Sequence, residues 1–292
     1  MWKTVRQRAL LACLGLALTV STVSIPGLPV TDAVATTKAT VRLTPGQIYP
    51  GDVLFIRSKQ AGKASLLGLT FALQPANGEY VAFVPVPMGT KPGTYHVTFS
   101  GKTPFQSVLT VKAKSFPEDR ITVSKEMASM QQNTTRIQAE QKIINQARSS
   151  SAPTAYFTGP FIMPVAGKLT TPYGYRRVVN GKPANPHLAI DIANKTGTPV
   201  YASNNGKVVL ARSLYLTGHT IMIDHGLRLF SSYGHLSEIH VKPGQQVKKG
   251  QVIGKMGSTG FSTGPHLHYA MLIGNTFINP NPFFAASPFD WQ

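Results

Sequence analysis

His266 and His268 stand two residues apart in the run Gly264-Pro265-His266-Leu267-His268, ahead of the apolar residues 269–273. Gly-Pro before the run and Gly274-Asn275 after it bound a short apolar segment, which reads as a strand. Residues i and i+2 of a strand point to the same face, so the two imidazoles project side by side. Such a pair suits a metal ion, or one metal ligand beside a proton-transfer group. Two polar residues on a solvated strand face are the plainer alternative. A second run, Pro186-His187-Leu188-Ala189-Ile190-Asp191-Ile192-Ala193, alternates like a strand, with His187 and Asp191 four apart and again on one face. These two with one histidine of the first pair make three donors and leave a fourth position open. That is the pattern of a catalytic zinc site rather than a closed structural one. Nitrogen and oxygen donors without sulfur suit zinc in a chain whose one cysteine, Cys13, lies in an N-terminal apolar run.

A hydrolase built on such a site also needs a proton carrier. Glu238 is the only glutamate after residue 140, and the chain has no HExxH. Acid–base work therefore falls to histidine, whose unperturbed pKa of ~6.5 suits it. His235, in Tyr233-Gly234-His235-Leu236-Ser237, is the candidate, with whichever of His266 and His268 is not a ligand. Seven of the eight histidines lie beyond Phe157, accompanied only by the carboxylates Asp191, Asp224, Glu238 and Asp290. That asymmetry assigns the chemistry to this part of the chain. His225, in Asp224-His225-Gly226, reads as a structural turn residue, and His219 and His240 as surface loop residues. Arg176 and Arg177, with Asn180 beside them, are read as binding a substrate carboxylate; a solvated hairpin at Asn180-Gly181 is the alternative.

The elements that must position these residues are mainly strands. Residues 36–113 carry short β-rich runs separated by Pro45-Gly46, Pro50-Gly51, Asn77-Gly78, Pro92-Gly93 and Ser100-Gly101, which predicts a β-sandwich of about eighty residues. No catalytic cluster lies in it, so its expected role is spacing, docking or wall association. Residues 114–155 change character. A Gly- and Pro-free stretch over 121–147 fits a helix, and Ser149-Ser150-Ser151-Ala152-Pro153 reads as a linker. From 156 to 292 the chain returns to short strands and Gly-rich turns. Every proposed ligand and catalytic residue lies beyond 186, so this part is expected to fold and to hold metal without what precedes it.

The start of the chain carries a basic region, MWKTVRQR, then residues 9–23 without charge, then Pro26-Gly27 and Ala33-Val34-Ala35. This is the pattern of a secretory signal peptide over 1–35. An uncleaved membrane anchor is the alternative, and fifteen apolar residues are short for a ~20-residue span. The formal net charge is +18, from 29 Lys+Arg and 11 Asp+Glu. Such a surface attracts polyanions. Export and the lack of a nucleic-acid-binding motif exclude nucleic acid as the expected partner and leave anionic cell-wall polymers. The expected location is the periplasm, the cell wall or outside the cell, with membrane contact only through the signal segment if it stays uncleaved.

Taken in order, His187-x-x-x-Asp191, Tyr-Gly-His235-Leu-Ser and Gly-Pro-His266-Leu-His268 resemble the motifs of the M23 (LytM/lysostaphin-type) zinc peptidases. Thr198-Pro199-Val200-Tyr201-Ala202, Asp224-His225-Gly226, Val241-Lys242-Pro243-Gly244 and Gly257-Ser258-Thr259-Gly260 add to the resemblance, which runs over 161–282. It implies one Zn2+ per chain held by His187, Asp191 and His268. It also implies that His235 and His266 activate water and stabilise the transition state. The implied activity is a zinc metalloendopeptidase cutting peptides of bacterial peptidoglycan, with a catalytically inactive wall-binding or activator module as the alternative. The implied fold is mainly β: an Ig-like sandwich over 36–113, a helical connector over 114–155 and an antiparallel peptidase domain over 156–292. The family has Gly where this chain has Ala189. On a strand that methyl faces the metal, and a working site is expected.

Overall fold

Turn-forming pairs divide the sequence into short apolar strands, and the computed structural model, which describes residues 30–32, 41–44 and 47–291, is mainly β. The basic start, the apolar run and Ala33-Val34-Ala35 lie outside the described residues. Among the described residues nine strands precede residue 114: β1 (Val30–Asp32), β2 (Val41–Thr44), β3 (Val53–Ser58), β4 (Gly62–Leu66), β5 (Leu69–Ala72), β6 (Gln74–Ala76), β7 (Glu79–Pro85), β8 (Gly93–Gly101) and β9 (Phe105–Val111). They form two sheets, ordered β1-β9-β8-β4-β5 and β2-β3-β7-β6, whose apolar residues share one core. The strand β1 falls inside the segment read as a signal peptide and pairs parallel to β9. Asn77-Gly78 turns β6 into β7 with both residues at positive φ, 50° and 75°, as a two-residue hairpin requires.

The connector differs from its expected form. Its first element is a strand, β10 (Glu118–Ile121), which pairs parallel to β12 (Arg176–Val179). Two helices follow, α1 (Lys125–Met130) and α2 (Thr134–Ala147). Asn133 separates them because its side chain accepts the Arg136 N–H and caps α2, the usual task of a short polar residue at a helix start. Ile143, Ile144 and Ala147 of α2 lie against the apolar cluster that includes Leu210, Leu214 and Met222.

The remaining strands are β11 (Lys168–Thr171), β12, β13 (Lys182–Pro183), β14 (Ile190–Ala193), β15 (Pro199–Tyr201), β16 (Gly206–Leu214), β17 (Gly218–Asp224), β18 (Leu229–Ile239), β19 (Gln246–Val247), β20 (Val252–Met256), β21 (His266–Ile273) and β22 (Thr276–Ile278). The main sheet runs β11-β14-β21-β18-β17-β16-β19. Its centre, β21 and β18, is nearly all buried, and β18 buries polar residues such as Ser231 and His235 beside its apolar ones. A polar chain runs through this core. His225 and Ser231 lie 2.7 Å apart, the Ser231 and Tyr233 hydroxyls 3.0 Å apart, and the Tyr269 hydroxyl donates to Ser203, which also meets Tyr233. Every polar atom named there has a partner, as burial demands.

The two halves do not pack as separable units. One apolar cluster contains Phe55 and Phe83 of the N-terminal sheets and Phe157, Phe161 and Phe283 of the C-terminal part. Phe83 and Phe283 lie 6.0 Å apart by ring centroid, and Phe55 meets Phe289 edge-on at 5.8 Å. Arg57 donates to the backbone carbonyls of Pro288 and Phe289. Residues 156–292 alone would thus expose several rings, each contributing roughly 1.5–3 kcal/mol when buried.

Candidate active site

Asp191 lies on β14 directly opposite His268 of β21. Cross-strand partners hold their Cβ atoms about 5 Å apart, so the register alone brings carboxylate and imidazole together. His187 precedes β14, next to Pro186, which has no N–H to offer a strand ladder. Its backbone is fixed instead by two hydrogen bonds, from its own N–H to the Tyr175 carbonyl and from the Gly174 N–H to its carbonyl. Gly174 serves geometry here: its φ is +90°, and a Cβ there would lie 2.4 Å from the Phe116 ring.

His187 Nε2, Asp191 Oδ1 and His268 Nδ1 converge. The separations are 3.0 Å between His187 and Asp191, 2.8 Å between His268 and Asp191, and 3.2 Å between the two ring nitrogens. His187 Nδ1 faces the Pro172 carbonyl at 3.4 Å, which orients the ring and leaves Nε2 toward the cluster. Burial works to raise the pKa of Asp191, but hydrogen bonding and positive charge from His187 and His268 outweigh it and hold the carboxyl well below the usual range. Three acceptor-capable atoms at these distances call for added positive charge, either protons on the imidazoles or a metal ion. Three nitrogen and oxygen donors without sulfur, on one side of an open cleft, fit Zn2+.

The other two histidines stand beside this cluster. Ring centroids of His235 and His266 are 4.7 Å apart, and His235 and His268 5.6 Å. His235 sits in a bulge of β18 against β17, where the register shifts between Tyr233 and Leu236. Its φ is +61°, a conformation non-glycine residues rarely adopt and one that marks functional positions. The His235 Nδ1–H donates to the Thr259 carbonyl at 2.7 Å, and the His266 Nδ1–H to the Gly264 carbonyl at 2.8 Å. Each ring thereby keeps Nε2 as its remaining polar atom. Burial, followed by the charge of His268 and His266, pushes His235 down to about 3, so it is neutral near pH 7. All three rings line a cleft of about 440 Å³ bordered by Thr170, Leu216, Phe261 and Ser262.

Several expectations change. Ala189 is fully buried among Leu210, Met222, Phe230 and Ala270. Its methyl is part of this apolar floor. Arg176 is exposed and donates to the Phe116 carbonyl. Asn180 takes the αL position of the β12–β13 turn, where its amide exchanges two hydrogen bonds with the Val123 backbone. Neither Arg176 nor Asn180 lines the cleft, and the contacts of both are with connector backbone. Arg177, one residue on and therefore on the opposite strand face, reaches Asp191 Oδ2 at 3.4 Å. Asp119 and Gln131 of the connector also line the cleft. Spacing gave no sign of them, since they lie far from the histidine motifs in sequence. His225 is fully buried and structural, as its turn suggested.

Residues 185–280 match the model of Peptidase family M23. Over 94 residues the chain is 46% identical to the peptidoglycan DD-endopeptidase ShyA of Vibrio cholerae, a match covering 32% of this chain and 22% of that protein. The matched part is thus about a fifth of that relative's length. A crystal structure of a Pseudomonas aeruginosa protein assigned to peptidase M23 is similar over 81% of this chain and 94% of its own, at 29% identity and a TM-score of 0.62. The catalytic domain of lysostaphin from Staphylococcus simulans is 35% identical and is covered over 92% of its length, with 44% of this chain and a TM-score of 0.35. With its histidine and aspartate motifs inside the matched residues, the chain belongs to peptidase family M23.

Proposed function

We propose that this protein is an exported zinc metalloendopeptidase that hydrolyses peptide bonds of bacterial peptidoglycan. The observation that carries the reading is the convergence of His187 Nε2, Asp191 Oδ1 and His268 Nδ1 beside two further imidazoles on an open cleft. The name of the Vibrio cholerae relative directs the proposal to D,D-cross-links. Zinc bound at this site would acidify a water and polarise the scissile carbonyl.

The chain's own residues supply the remaining steps. His187, Asp191 and His268 would hold the metal, and the cleft beside them is open to substrate. His235, neutral and with Nδ1–H committed to Thr259, accepts a proton at Nε2 from the attacking water and returns it to the leaving amine. His266, anchored through Nδ1–H to Gly264, offers Nε2 as a hydrogen-bond partner to the charge that develops on the carbonyl oxygen. The apolar floor containing Ala189 and Met222 keeps bulk water from the ligands' far side, which strengthens their electrostatic grip.

Defined cross-linked muropeptides, incubated with the purified protein and read by mass spectrometry, test the proposal. Monomeric products that vanish after chelation and return with Zn2+ are expected. No cleavage of any peptide bond by a protein shown to contain zinc would refute it in favour of a binding module.

A further inference from the structure

The Asp191 carboxylate has two oxygens, and only Oδ1 faces the two histidines. Oδ2 is met by Arg177 Nη2 at 3.4 Å. The same guanidinium is also held by Asp119, whose Oδ2 accepts from Nε at 3.1 Å and lies 3.1 Å from the same Nη2, so that this nitrogen stands between the two carboxylates. Asp119 belongs to the connector, 72 positions before Asp191, and reaches this place because β10 pairs with β12 in a register that sets Asp119 opposite Arg177. Both side chains are largely shielded, each 19% exposed, and Asp191 is 9% exposed.

We propose that Asp119 is a positioning residue for the metal centre, acting through Arg177 on Asp191. Arginine is long and can pair with a carboxylate through two N–H groups at once. An Arg177 without Asp119 is free to turn its fork onto Asp191 and draw Oδ1 away from the histidines. It would also place an uncompensated positive charge beside a cation site. Asp119 opposes both effects: it fixes the guanidinium edge and cancels its charge, so that one N–H caps Oδ2 and Oδ1 stays directed at the metal. Partners that orient metal-binding carboxylates are commonly worth 10–100-fold, on the order of one to two decades, in metal affinity. The centre is then completed by a segment that precedes the residues of the family match.

This inference rests on the zinc reading above, and the test separates the two. Zinc dissociation constants of the full chain are measured by competition with a chromophoric chelator for wild type, D119A, D119N, D119E, R177M and the D119A/R177M double variant. Thermal unfolding of the metal-free proteins is measured alongside. D119A should weaken zinc about 10–100-fold, D119N less, and D119E should restore most of the affinity. In the R177M background the D119A change should shift affinity less than about twofold, because the residue through which it acts is gone. A purely structural Asp119 would lower the unfolding temperature in both backgrounds without moving zinc affinity. Equal zinc affinity of wild type, D119A and D119N, or an equal D119A loss in both backgrounds, overturns the proposal. A wild type that binds no zinc overturns the metal reading itself.

Discussion

His225 offers a pH dependence whose size follows from its surroundings. The ring is fully buried, with Nδ1–H donating to the Asn205 carbonyl at 2.7 Å and Nε2 against Ser231 at 2.7 Å. Burial pushes its pKa from 6.5 down to about 4, against the opposing hydrogen bond to Asn205. The unfolded chain therefore takes up a proton near pH 6.5 that the folded chain refuses until about pH 4. Between those values the unfolded state binds more protons, so stability falls as pH falls. The full share is roughly 3 kcal/mol at about 1.4 kcal/mol per pH unit. Between pH 7 and pH 5 it amounts to about 2 kcal/mol. Urea unfolding of metal-free wild type and His225→Gln at these two pH values isolates it, because the remaining titrating groups, including His235, are common to both proteins. The stability gap between wild type and variant should narrow by about 2 kcal/mol on going to pH 5. Parallel pH profiles for the two proteins would refute the argument that a buried neutral imidazole governs this part of the acid response.

Gly218→Ala should disturb catalysis without removing metal: its φ is +61° and a Cβ would lie 2.2 Å from Thr259 Oγ1. Thr259 also holds His235, so turnover should drop at constant zinc content, with a stability loss above about 1 kcal/mol. Phe283→Ala removes a fully buried ring between the halves and should cost about 3–5 kcal/mol. Calorimetry should show both halves melting together at the lower temperature; an unmoved transition for either half would contradict the shared core. Export predicts a mature N-terminus near Thr36, readable by Edman sequencing, whereas an intact Met1 in the membrane fraction would favour an anchor.

The parts of the molecule visible in the sequence were those with local signatures. The β21 histidines announced themselves through Gly-Pro, strand length and the i, i+2 rule, and Asn77-Gly78 marked its hairpin by turn chemistry. At Ala189 the strand rule has less hold, because β14 begins only at Ile190, and what the structure adds is its apolar neighbours Met222 of β17 and Ala270 of β21. Arg177 was singled out for a substrate, yet which face it takes depends on where β12 begins, and that is set by pairing with β10. Asp119 and the aromatic contacts between Phe55, Phe83, Phe283 and Phe289 were invisible for a single reason. They depend on residues distant in sequence being brought together, and periodicity carries no information about such partners.

Zinc content measured by elemental analysis on His268→Ala and His266→Ala, with hydrolysis rates on one cell-wall preparation, tests the division of labour at the site most directly. His268→Ala removes one of three donors and should lose zinc. His266→Ala leaves His187, Asp191 and His268 in place, so zinc should stay near one per chain while hydrolysis drops on the order of 10²–10⁴-fold. A His266→Ala protein that has lost its zinc beside a His268→Ala protein that has kept it would contradict the assignment.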